Sequence, residues 1–60
     1  MEFAYAGRKV CDDLAEGDWI ISNQEYVQVV KVKDHEIITT GHPRMIYGRD
    51  YEYSVYVPVG

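Results

Sequence analysis

Sixty residues make one small domain, with no room for a second core, and a chain of this size buries only about 60% of the surface its unfolded form exposes. A single cysteine excludes an internal disulfide, no apolar run approaches the ~20 residues of a membrane span, and no charged-then-apolar signal pattern opens the chain. A soluble protein of a reducing, cytoplasmic setting is the expectation. The net charge of −4 falls entirely on the first thirty residues, which weighs against nucleic acid as the main partner but leaves room for a locally basic face.

The side chains favour strands. Eight Val, five Ile and eight aromatics stand against one Leu and three Ala, and β-branched and aromatic residues suit a pleated sheet better than a helix. Phe3 and Tyr5 alternate with Glu2 and Ala4, predicting a short strand or extended arm that ends near Gly7. Arg8 to Leu14 fits one helical turn, since Val10 and Leu14 are four apart, and fits equally an extended segment bending at Asp12-Asp13. Glu16-Gly17-Asp18 is a turn, Trp19 to Ser22 a strand, and Asn23-Gln24 a hairpin loop.

Tyr26 to Lys33 is the strongest strand, with apolar residues on both of its faces, as in a strand that bends to serve two surfaces. Asp34-His35 turns into Glu36 to Thr40, Gly41-His42-Pro43 breaks the pattern, and Arg44 to Tyr47 forms a short strand before Gly48-Arg49-Asp50. From Glu52 to Val59 the alternation predicts Tyr53, Val55, Val57 and Val59 inward and Glu52, Ser54, Tyr56 and Pro58 outward. Five or six short antiparallel strands over 1–60 read as a single all-β barrel, because closure removes the edges that a small open sheet exposes.

The segment Val10 to Val32 carries an apolar residue, Leu14 four later, Gly17-Asp18 after two more, the pair Ile20-Ile21, and the strand Glu25 to Val32. In this order it resembles the opening half of SH3-like barrels and is similar to short uncharacterised proteins of tailed bacteriophages. The resemblance implies a small SH3-like barrel and a viral setting, with a host or virion protein as the target. It does not imply an activity.

Chemistry is sparse. Cys11, His35 and His42 are the only soft or imidazole ligands and lack paired short spacings, so no metal site or cofactor is expected. Asp12 and Asp13 raise the pKa of Cys11 and blunt it as a nucleophile, leaving it to pack as a small apolar residue. No glycine pattern matches a phosphate loop. An enzyme is not expected.

Binding is better represented. Trp19, Tyr47, Tyr51 and Tyr56, with the acidic turn Asp12, Asp13, Glu16 and Asp18, form a candidate protein-binding surface, in which rings supply buried area and carboxylates steer a basic partner. Trp19 has two placements open to it, as the large filler of a small core or as part of that surface, and the core is favoured. Lys31, Lys33, Arg44 and Arg49, near Tyr47 and Tyr51, form the alternative, a face for single-stranded nucleic acid. Interspersed acids make a solvated face the simpler reading of those cations. The expectation is a non-catalytic protein-binding module, with self-association as a further way to stabilise so small a core.

Overall fold

The computed structural model describes residues 2–60. Six strands form one antiparallel sheet: β1 (Glu2–Val10), β2 (Trp19–Ser22), β3 (Glu25–Lys33), β4 (Glu36–Thr39), β5 (Met45–Tyr47) and β6 (Glu52–Val59). Their order is β1-β6-β2-β3-β4-β5, so β2 to β5 meander and β6 returns to lie between β1 and β2. A single 3-10 turn, Cys11–Asp13, follows β1.

Two hairpins are closed by two-residue turns with left-handed backbone at both positions, Asn23-Gln24 (φ 51° and 66°) and Asp34-His35 (φ 46° and 64°). That conformation matches the twist of the flanking strands, which is why such short loops use it. Between β4 and β5 the turn is held from inside: buried Thr39 donates its amide to Arg44 O (2.7 Å) and its hydroxyl to Pro43 O (3.2 Å).

The apolar residues on both faces of β3 have a local cause. Val29 pairs with Thr39 and Lys31 with Ile38, so Val30 is an extra residue in the ladder. This bulge changes the phase of the alternation. Val27 and Val29 face the core before it and Val32 packs on the core after it, while Val30 is exposed. A second bulge sits in β1 at Ala6, next to Gly7, whose φ of +113° suits only glycine.

The core comprises Cys11, Leu14, Ile20, Val27, Val29, Ile37, Tyr53 and Val55, with Val32 and Ile46 packed against it. Full burial of a side chain such as Ile20 or Ile37 is worth about 1.5–3 kcal/mol. Of the ambiguous stretch Arg8 to Leu14, Arg8 to Val10 continues β1, and the 3-10 turn and the loop after it contribute Cys11 and Leu14 to the core.

Two expectations are corrected. The sheet is not a closed barrel: β1 and β5 are its edges and do not pair. With only three residues, β5 offers little ladder, and the chain after it meets β6 through side chains, the backbone of Gly48 lying against the Tyr53 ring and hydroxyl. Val57 and Val59 are not buried either: they share the face of Val55 but are 46% and 42% exposed. β2 pairs with β6 only at Trp19↔Tyr56 and Ile20↔Val55, so the end of β6 runs past the core with β1 alone beside it.

Candidate binding surface

Strand alternation settles which rings face outward. Trp19 precedes buried Ile20, Tyr26 precedes buried Val27, and Tyr56 follows buried Val55, so all three point away from the core. Tyr5 is the cross-strand partner of Tyr56, and Phe3 lies two residues before it on the same face. The five rings touch in series. Phe3 lies 4.9 Å from Trp19 and stacks on Tyr26 at 4.2 Å, Tyr26 meets Tyr56 edge-on at 5.1 Å, and Tyr56 meets Tyr5 at 5.7 Å. Offset and edge-to-face contacts at these separations are favourable beyond simple burial. Tyr5 and Tyr26 are still 58% and 44% exposed, and Phe3, Trp19 and Tyr56 are half-buried. Trp19 therefore belongs to this exterior cluster and not to the core.

A second aromatic group sits elsewhere. Tyr51 meets Tyr53 edge-on at 4.7 Å, and with Ile21, Ser22, Asn23, Ile46 and Tyr47 the pair lines an open groove of about 300 Å³. Tyr47 and Tyr51 form its exposed rim. Burial holds the Tyr53 phenol above its ordinary pKa, with Cys11 and then Tyr51 adding to the effect. The Cys11 thiol is raised in the same way, by burial first and Asp12 second, so it stays a neutral thiol and a poor nucleophile.

The acidic residues are divided by their contacts. Asp12 Oδ1 lies 3.2 Å from His35 Nδ1 without making a hydrogen bond to it. Asp18 Oδ2 accepts hydrogen bonds from Ala15 N at 3.0 Å and from Lys9 Nζ at 3.3 Å. Asp13 and Glu16 are exposed. Of the cations, Arg8 reaches Glu52 at 4.0 Å and Lys9 reaches Asp18, whereas Lys31, Lys33, Arg44 and Arg49 make no ion pair among the described residues. No three His, Cys, Asp or Glu side chains are grouped to hold a metal ion among the described residues.

Of the residues singled out from sequence, Trp19 and Tyr56 lie together on the exterior cluster, while Tyr47 and Tyr51 lie together at the groove. Phe3, Tyr5 and Tyr26 complete the cluster and were not singled out as binding residues. The pattern Phe3-x-Tyr5 marked one face of a strand, but which strands flank β1 was needed to show what that face adjoins. The chain matches no protein-family model, no curated protein and no solved structure.

Proposed function

We propose that this chain is a non-catalytic binding module that docks a protein partner on the exterior aromatic face of its sheet. The observation that supports it is the cluster of Phe3, Tyr5, Trp19, Tyr26 and Tyr56, preorganised by mutual contact yet left open to water on the side away from the core. Rings already fixed by their neighbours lose little entropy on binding, and aromatic anchors dominate the energetics of many interfaces. The net charge of −4 and the exposed Asp13 and Glu16 favour a basic partner through long-range steering. An SH3-like ancestry, and a viral setting with a host or virion protein as target, rest on the Val10 to Val32 pattern alone.

One observation favours a second reading, single-stranded nucleic acid. Among the described residues Lys31, Lys33, Arg44 and Arg49 make no ion pair, and cations beside exposed rings suit phosphates and bases. The overall acidity opposes it. Capture of partners by tagged protein, with and without nuclease, separates the two readings. Three forms are compared: wild type, Tyr5→Ser with Tyr56→Ser, and Lys31→Glu with Arg44→Glu. The proposal expects a stoichiometric protein that survives nuclease, is lost with the tyrosine pair and is retained by the charge-reversed pair. Recovery that vanishes with nuclease and with charge reversal would establish the nucleic-acid reading instead.

A further inference from the structure

β1 is one of the two edges of the sheet, and its protection against further pairing is confined to one half. Bulges and basic residues are common ways of blunting an exposed edge. In β1 these are the bulge at Ala6 and the side chains of Arg8 and Lys9, all after Tyr5. The other edge, β5, is followed at once by Gly48, whose backbone lies against the Tyr53 side chain. Glu2 to Tyr5 has neither device. This segment and the end of β6 beside it also expose apolar side chains on both faces, Tyr5 on one and Val57 and Val59 on the other.

We propose that β1 pairs antiparallel with β1 of a second copy about Ala4, with Phe3–Tyr5 as the paired segment, joining two sheets edge to edge across a two-fold axis. Charge favours that orientation. The strand opens with Glu2 and closes with Arg8 and Lys9, so antiparallel copies bring unlike ends together, whereas parallel copies would align like with like. Arg8 is free to contribute, since its contact with Glu52 is 4.0 Å long and both side chains are largely exposed.

The faces restrict the register. An axis normal to the sheet keeps exterior beside exterior, so Phe3 and Tyr5 must face Phe3 or Tyr5 of the partner subunit, and Ala4 must face an even-numbered position. Centring the axis on Ala4 places Ala4 opposite Ala4 of the partner subunit, with Phe3 opposite Tyr5 of the partner subunit on either side. Both aromatic clusters then merge into one continuous strip. The contact is self-complementary and closes at two copies. It does not depend on the reading of the aromatic face given above, because it rests on the backbone edge of β1 and not on what the rings bind.

The axis at Ala4 supplies its own test. Ala4 is exposed, so Lys or Glu can replace it in the single chain, but each would meet its own kind across the axis. Sedimentation equilibrium at low salt is expected to give wild type twice the 7.0 kDa of one chain. A4K alone and A4E alone are each expected at the single-chain mass, and an equimolar mixture returns to the doubled mass. Wild type at the single-chain mass at every concentration, or a doubled mass indifferent to A4K, would overturn the proposal. Amide exchange of wild type guards against a variant that does not fold. The proposal expects outward-facing amides within Glu2–Tyr5 to gain protection as protein concentration rises. Free exchange of those amides at all concentrations would refute it.

Discussion

Phe3 and Tyr26 stack with ring centroids 4.2 Å apart and planes 22° from parallel, although β6 and β2 lie between their strands in the sheet. The contact ties the edge strand to the middle of the sheet across the exterior face, beyond what the β1–β6 ladder provides. Replacing either ring by Ala is expected to cost about 1–3 kcal/mol, less than a fully buried ring because one side is already wet. A double-mutant cycle in urea should give a coupling of about 0.5–1.5 kcal/mol. Simple additivity of the two losses would show that the stacked pair does not act as a unit.

Gly41 is required for space. A Cβ there would run into the Cγ1 methyl of Val27, with the Val27 Cβ 3.0 Å away. Val27 is a buried, β-branched side chain with few other rotamers, so it cannot easily move aside. Gly41→Ala is expected to destabilise by about 1–3 kcal/mol through overpacking. Val27→Ala removes the obstructing methyl, so the double variant should lose less than the sum of the single losses. Thermal unfolding of the four proteins measures this, and a sum that simply adds would contradict the contact.

What could be read from the chain was local. Five or six short strands, the two turns at Asn23-Gln24 and Asp34-His35, and the inward placement of Tyr53 and Val55 follow from alternation and turn chemistry, though β1 runs past Gly7 to Val10. The fate of Val57 and Val59 did not, because their alternation is perfect and only the early end of β2 leaves them uncovered. Closure failed as an expectation for a similar reason: strand number suggested a barrel, but a three-residue β5 and side-chain contact at Gly48 leave the edges unpaired. Two of its five rings, Trp19 and Tyr56, were candidates for the aromatic face, although Trp19 was favoured for the core. The rest of the face depends on β6 inserting between β1 and β2, a long-range pairing that no local pattern encodes.

Cys11 and Tyr53 are both folded in their neutral forms with raised pKa values, which determines the direction of an alkaline effect. Above about pH 9 the unfolded chain releases thiol and phenol protons that the folded chain still holds. The unfolded state then binds fewer protons than the native state, so stability falls as pH rises and is fully present below that range. The urea midpoint should therefore drop between about pH 8 and pH 10.5. Cys11→Ala should make the drop shallower by removing the thiol's share. In the folded wild type at neutral pH, the buried thiol should react with a disulfide reagent only as fast as the chain opens. A midpoint that stays level or rises with pH would contradict the neutral burial of both groups.

Asp18, one of the candidate partner-binding carboxylates, is also engaged by its own turn, by Lys9 and by β3. Its carboxylate accepts from Ala15 N at 3.0 Å, its amide donates to Ala15 O at 3.1 Å, and its carbonyl accepts from Val29 N at 2.8 Å, which anchors the turn to β3 immediately before Trp19. Lys9 at 3.3 Å adds an ion pair that is partly solvated and so worth little. Asp18→Asn keeps an oxygen acceptor for Ala15 N and should cost under about 0.5 kcal/mol. Asp18→Ala leaves that amide without its partner and should cost about 1 kcal/mol or more. Urea unfolding distinguishes the two, and partner capture at a temperature where both remain folded separates structure from recognition. If Asp18 serves the turn alone, both variants hold the partner as wild type does, whereas loss of capture in Asp18→Asn at unchanged stability would make its charge part of the interface.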